Sequence, residues 1–321
     1  VRPRPPNTGR QHRRKIHVIN LALAYQRLPR NARGALWMLA SAVTFTVMTM
    51  LIKFLGTGYP AALQAFYRQA FGLVVLLPII LSNPRATFRT TRPGILLFRS
   101  LAGTVSMILS FYAYQKMQLA EANALSFTRT LWLVPLAAFV LKEHVGPRRI
   151  AATVVGFLGA LLMLQPAAHG ELGLPAAAAL ISALLFALTV TGMKLMTRDH
   201  TTMALMAWSA TLGFILTIPP ALFVWRWPSL IDLLLLAAMG VLGTITQGCY
   251  IRGMTEGDAA VMAPVDYTRL VFAIILGYAL FGDIPNALTM TGATIVIVST
   301  LYITLRESRL GVPKTVAERA E

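Results

Sequence analysis

Phe127-Thr128-Arg129 and Tyr267-Thr268-Arg269 are the same aromatic-threonine-arginine step written twice, 140 residues apart, each inside a long apolar run. Arginine is what apolar composition does not supply by chance. At a helix centre in a bilayer a charged side chain costs about 2.5–3.5 kcal/mol, so a recurrence in register signals duplication rather than shared greasiness. The acids Glu143 and Asp283, which close these runs, keep the same offset of 140.

Working outward, the first apolar run matches the sixth at an offset of 141 through Ser41/Ser182, Ala42/Ala183, Phe45/Phe186 and Lys53/Lys194. Runs 2 and 7 keep it through Gly72/Gly213 and Pro78/Pro219. Tyr114/Tyr250 and Lys116/Arg252 link the ends of runs 3 and 8 at 136, and Gly156/Gly292 pair runs 5 and 10.

The runs fall near 34–55, 61–81, 94–115, 119–141, 148–165, 172–196, 202–225, 230–252, 258–281 and 287–305. A hydrocarbon core about 30 Å thick needs roughly 20 apolar residues per helix. The expected fold class is therefore an all-α integral membrane protein, ten transmembrane helices arranged as two five-helix repeats. Five is odd, so the second repeat enters the membrane in the opposite sense and the repeats are inverted. Expected boundaries are a basic cytoplasmic arm (1–33), a first repeat (34–168), a second repeat (172–306) and a cytoplasmic tail (307–321).

Composition agrees. The 321 residues are 56% hydrophobic and only 13% charged, with a mean hydropathy of +0.64, whereas soluble domains carry roughly a quarter charged residues. The formal charge of +17 is read as topology rather than a nucleic-acid-binding face. Residues 1–33 hold nine Lys or Arg and no acid, and Arg85, Arg89, Arg92, Lys142, Arg148, Arg149, Lys194, Arg198 and Arg252 fall to the same side. The opposite side receives Lys53, Lys116 and Arg226. The positive-inside rule then places both termini in the cytoplasm. An arginine-rich chain with minimal loops suits a bacterial inner membrane.

Catalytic chemistry has little to work with. His12, His17, His144, His169 and His200 all lie outside the apolar runs without metal-ligand spacing, Cys249 is a lone cysteine, and no phosphate-binding loop is present. Neither metal, cofactor nor enzymatic activity is expected. A receptor, a channel and a membrane-embedded enzyme remain as alternatives to a carrier.

Leu119-Ala-Glu121-Ala-Asn123-Ala through Val134-Pro135 to Leu141-Lys142-Glu143, and Gly257-Asp258 through Pro264-Val-Asp266-Tyr267 to Phe281-Gly282-Asp283, resemble the fourth and ninth helices of the EamA-like branch of the drug/metabolite transporter superfamily. The resemblance runs from Gly34 to about Arg306. Lys142 stands at the usual glycine, and Asp283 at the usual glutamate. The resemblance implies a ten-helix carrier of small organic solutes, such as amino acids, vitamins or nucleotide-like compounds, without a covalent cofactor. It also implies a central cavity lined by runs 1, 3, 4, 6, 8 and 9.

Arg129 and Arg269 are the leading substrate-binding candidates, since each lies roughly ten residues into its run and a guanidinium fork suits carboxylate or phosphate. Asp266 precedes Arg269 by three residues on one helical face, where an ion pair can form locally. Arg129 has Ser126 at that place and is expected to be the more available. Phe127 and Tyr267 offer stacking or cation–π faces, and Asn123, Gln247 and Tyr250 offer neutral hydrogen-bonding groups. Arg68 reads as a structural or snorkelling residue, and Lys53, Arg99 and Lys194 read as interfacial anchors. Pro78, Pro135, Pro219 and Pro264 each remove a backbone hydrogen bond inside a run and mark expected kinks or hinges.

Overall fold

A computed structural model describes residues 28–82, 88, 90, 92–140, 145–164, 173–196 and 202–309. Twelve α-helices make up the described part: α1 (Arg30–Phe54), α2 (Ala61–Ser82), α3 (Pro93–Lys116), α4 (Leu119–Ser126), α5 (Thr128–Phe139), α6 (Pro147–Leu164), α7 (Leu174–Met196), α8 (Thr202–Phe223), α9 (Leu230–Glu256), α10 (Ala259–Asp266), α11 (Thr268–Phe281) and α12 (Ala287–Arg309). Seven stretches are long and apolar enough to cross a bilayer, and Ala207–Phe223 is a shorter apolar helix. The five histidines, Glu143 and the basic loop residues Arg85, Arg89, Lys142 and Arg198 lie outside the described residues.

The exterior is what a lipid-facing surface requires. Phe139, Phe223, Trp227, Leu230 and Ile231 are each more than 70% exposed, a distribution that would aggregate in water. Inside, helix contacts rely on small residues that let backbones approach. α6 and α12 cross at Gly159 and Gly292, where a Cβ on Gly292 would lie 2.6 Å from the Gly159 carbonyl and one on Gly159 would lie 2.6 Å from Ile295. At the start of α1, a Cβ on Gly34 would meet the backbone of Gly257 at 2.8 Å.

Packing follows the duplication. α1 lies along α9, and its repeat mate α7 lies along α3; α2 packs on α8, and α6 on α12. One departure from the sequence reading concerns runs 4 and 9, which were expected to be continuous. Each is broken at its aromatic residue, giving α4–α5 around Phe127 and α10–α11 around Tyr267. The cause is local and the same in both halves. The Thr128 hydroxyl donates to the Leu125 carbonyl and the Thr268 hydroxyl to the Val265 carbonyl, both at 2.6 Å. Tight turns follow, with Thr130 N–H on Phe127 O and Leu270 N–H on Tyr267 O, both at 3.0 Å. The helical assignment runs through Pro78, Pro135, Pro219 and Pro264 without interruption; the breaks sit at threonine-assisted turns instead.

Candidate functional site

The two breaks meet. The Phe127 and Tyr267 rings stand 4.3 Å apart, centroid to centroid, tilted by 51°, and the Tyr267 hydroxyl is fixed by Thr300 at 2.5 Å. Because α5 and α11 begin at these turns, Arg129 and Arg269 project from their first residues into the same region.

Their pairing is crossed. The Arg129 Nη2 donates to Asp266 Oδ2 at 3.2 Å, linking α5 to the end of α10 in the other half. The local Asp266–Arg269 pair is therefore corrected: the carboxylate serves the arginine 137 positions away. Arg269 Nη2 donates instead to Ser126 Oγ, also at 3.2 Å, and the Ser126 hydroxyl donates onward to the Asn123 carbonyl at 2.7 Å. Arg269 is only 4% exposed, and its Nε has no hydrogen-bond partner among the described residues. The expectation that Arg129 is the more available arginine is reversed in charge terms, since Arg129 has a carboxylate and Arg269 has a hydroxyl and two aromatic faces.

Those faces complete the symmetry. The Arg269 guanidinium lies 4.1 Å from the Phe127 centroid and 5.0 Å from that of Phe45, and Arg129 lies 5.5 Å from Phe186. Phe45 and Phe186 are repeat mates, so each arginine leans on the aromatic of the opposite half. Sequence reasoning paired these phenylalanines as a repeat signature but did not place them at the site. Tyr114 was missed in the same way. It is 2% exposed and edge-on to Phe45, and its hydroxyl lies beside the Ser126 side chain that accepts from Arg269. Its mate Tyr250 is half-buried on α9, within electrostatic reach of both arginines.

Other candidates fare differently. Asn123 is fully buried; its amide donates to the Leu119 carbonyl of its own helix at 2.8 Å, and its Oδ1 has no partner among the described residues. Gln247 is exposed on α9 and outside the hydrogen-bonded cluster. Arg68 is held by Gln69 Oε1 at 2.8 Å and Met107 Sδ at 3.3 Å, as a structural residue would be. Arg99 is not an interfacial anchor: it is 5% exposed and donates to Ser209 at 2.5 Å. Lys53 is not one either, since its ammonium pairs with Asp283 at 2.5 Å. No cluster of potential metal ligands occurs among the described residues, and Cys249 is buried in α9.

Two packed repeats of apolar helices, interrupted at their centres, with a buried and a half-buried arginine at the interruptions, are the features of a membrane transporter. The chain belongs to the EamA-like transporter family, whose model matches residues 32–165 and again 174–305. Among similar proteins are an S-adenosylmethionine uptake transporter of Rickettsia prowazekii, 31% identical over 86% of this chain and 94% of that protein, and a riboflavin transporter of Rhizobium johnstonii, 27% identical over 86% and 92%. A pseudopaline exporter of Pseudomonas aeruginosa is 26% identical over 84% of this chain and 95% of its own. A solved crystal structure superposes with a TM-score of 0.60 at 18% identity, covering 87% of this chain and 99% of that one, which speaks for the fold alone.

Proposed function

We propose that this protein is a non-enzymatic secondary carrier of small organic metabolites, working by alternating access across a bacterial inner membrane. On this reading it crosses ten times, with both termini in the cytoplasm, and Arg129, Arg269, Asp266, Phe127, Tyr267 and Tyr250 bind the solute, joined by Phe45, Phe186 and Tyr114. The observation that carries it is the Arg269 guanidinium, which is 4% exposed, donates to a hydroxyl and not to a carboxylate, and has an Nε without a hydrogen-bond partner among the described residues. A guanidinium buried among two rings and a hydroxyl stabilises an arriving carboxylate or phosphate more than an already paired one would. The Arg129–Asp266 pair beside it offers a partner for each pole of a zwitterion. No nucleotide-hydrolysing motif occurs in the sequence, so the driving force is a solute or ion gradient.

The test is uptake into liposomes containing the purified protein, with a mixed pool of amino acids, vitamins and nucleotide derivatives read by mass spectrometry. S-adenosylmethionine and riboflavin, the cargoes named for relatives, head the panel. Saturable accumulation of carboxylate-bearing solutes, lost in Arg269→Ala, supports the reading. Entry that is equal with wild type and variant leaves a carrier but removes the arginine site. No entry of any solute returns the receptor and enzyme alternatives, and non-saturating voltage-driven flux returns the channel.

A further inference from the structure

Among the described residues the two faces of the molecule are packed differently. At one face α1 ends, α4 begins and α11 ends, and a single carboxylate oxygen joins all three. Asp283 Oδ2 accepts from Lys53 Nζ at 2.5 Å and from the Leu119 backbone N–H at 3.2 Å. The Lys53 ammonium also lies 4.8 Å from the Phe281 ring centroid, and Gln118 Nε2 reaches the Ile284 carbonyl at 3.3 Å. The carboxylate is placed there by Gly282, whose φ of +66° lets the chain turn sharply off α11 and brings Asp283 N–H back to the Gly277 carbonyl. Only glycine takes that backbone region without strain. Both charged side chains are about 15% exposed, at 15% and 14%, and the carboxylate sits where the first N–H groups of α4 need an acceptor.

The inverted repeat supplies an internal reference for judging this contact. Along this face α11 packs on α4. Their repeat mates at the other face are α5 and α10, and among the described residues these two do not pack along each other. Over the described residues the same pair of broken helices is therefore packed together on one side of the Phe127–Tyr267 contact, and on the other is joined at the break by Arg129 and Asp266 without packing along its length. From Arg269 to the end of α11 at Phe281 the helix rises roughly 18 Å, and from Phe45 to Lys53 α1 rises roughly 12 Å, so the tie sits at the ends of both helices, well removed from the level of the arginines.

We propose that Lys53, Asp283 and the Leu119 amide form a latch that holds this face shut in the conformation seen here, and that releasing it lets the opposite face close. The inference rests on the alternating-access reading for its meaning, but its test requires no substrate. With repeats of similar internal packing, the two conformations differ chiefly in which broken-helix pair is closed, so removing a contact made in only one of them shifts the population toward the other.

Spin labels at Lys116→Cys and Leu280→Cys report the latched face, and labels at Phe139→Cys and Val261→Cys report the other, each pair in a Cys249→Ala background. Dipolar distances are measured with and without Asp283→Asn. The expected result is a second, longer distance at the latched face, its fraction rising about tenfold, the ratio that about 1.4 kcal/mol produces, together with a shorter distance at the opposite face. Lys53→Met keeps the acceptor for Leu119 and gives the same shift if Asp283→Asn fails to fold; Lys53→Arg restores the original distribution. Longer distances at the latched face with no change at the other make the tie a local staple and overturn the proposal, as do unchanged distances in Lys53→Met. Liposome flux is scored separately, so a protein that switches without transporting and one that transports without a latch give different results.

Discussion

Arg129 reaches across to hydrogen-bond Asp266 at 3.2 Å, while Arg269, three residues after Asp266 but beyond the break at Tyr267, hydrogen-bonds Ser126 instead. The exchange ties the start of α5 to the end of α10, and so ties the two halves at the level of the helix breaks. Removing one partner leaves the other charge in a largely dehydrated place, which is worse than losing both. In a double-mutant cycle on thermal unfolding in detergent, Arg129→Ala and Asp266→Ala are each expected to lower stability more than half as much as the double variant does. The coupling falls in the range of about 0.5–3 kcal/mol typical of contacting residues. Additive losses would show that the pair contributes nothing as a pair.

The aromatic supports are expected to be unequal. Arg269 has Phe45 at 5.0 Å and Phe127 at 4.1 Å and hydrogen-bonds a hydroxyl, whereas Arg129 has Phe186 at 5.5 Å and is ion-paired directly with Asp266. Desolvated cation–π contacts contribute about 2 kcal/mol. Phe45→Leu, which keeps volume and removes the ring, is therefore expected to weaken solute binding about tenfold or more, and Phe186→Leu by a smaller factor. Isothermal titration with the solute found in the liposome screen measures both. Equal effects would mean that the rings act as packing alone.

Much of this was legible from residues alone, and the limits have physical causes. The duplication was readable because Lys, Arg, Pro and acidic positions recur in register where lipid-facing composition would not put them. The placement of Arg129 and Arg269 followed from depth along an apolar run. Their pairing did not, because spacing along one helix reveals neighbours three and four apart and says nothing about a partner 137 positions away. The helix breaks were also hidden. Phe127-Thr128-Arg129 contains no glycine or proline, and the interruption depends on a threonine hydroxyl taking a carbonyl in its own preceding turn, an option every helical threonine has. Lys53 and Arg99 were misjudged for a related reason: a long side chain near a helix end can reach the interface, and only packing shows that Asp283 or Ser209 takes it first.

Glycine at the α6–α12 crossing sets a second stability test. A Cβ on Gly292 would lie 2.6 Å from the Gly159 carbonyl oxygen and 2.5 Å from Met163 Cγ. Backbone oxygen cannot move aside as a side-chain tip can, so Gly292→Ala is expected to push the helices apart and lower the melting temperature by several degrees, consistent with about 1–3 kcal/mol of overpacking. Gly248, with nothing within 4 Å of an added Cβ, is the control, and Gly248→Ala is expected to be neutral or slightly stabilising in the same α-helical setting. A melting curve for Gly292→Ala that matches wild type would remove the close approach as a determinant of packing.

The acids of the membrane region bear on coupling. Asp266 is engaged by Arg129, with Arg269, Tyr114 and Tyr267 around it; Asp283 is engaged by Lys53, and Glu121 accepts from the Thr289 hydroxyl at 2.9 Å. Using one of these carboxylates to carry a proton would mean dismantling the contact that holds it, and for Asp266 that contact is the ion pair joining the two halves. A carrier coupled to one proton per solute can sustain about tenfold accumulation across a gradient of one pH unit, the equivalent of 1.36 kcal/mol. The expected effect here is less than about twofold on that scale, in either direction of the imposed gradient, when initial uptake is measured with the membrane potential clamped. A steep dependence that disappears in Asp266→Asn while solute binding persists would instead make Asp266 the coupling group. The Arg129 pair would then be one stage of a cycle in which the carboxylate is released, protonated and recaptured.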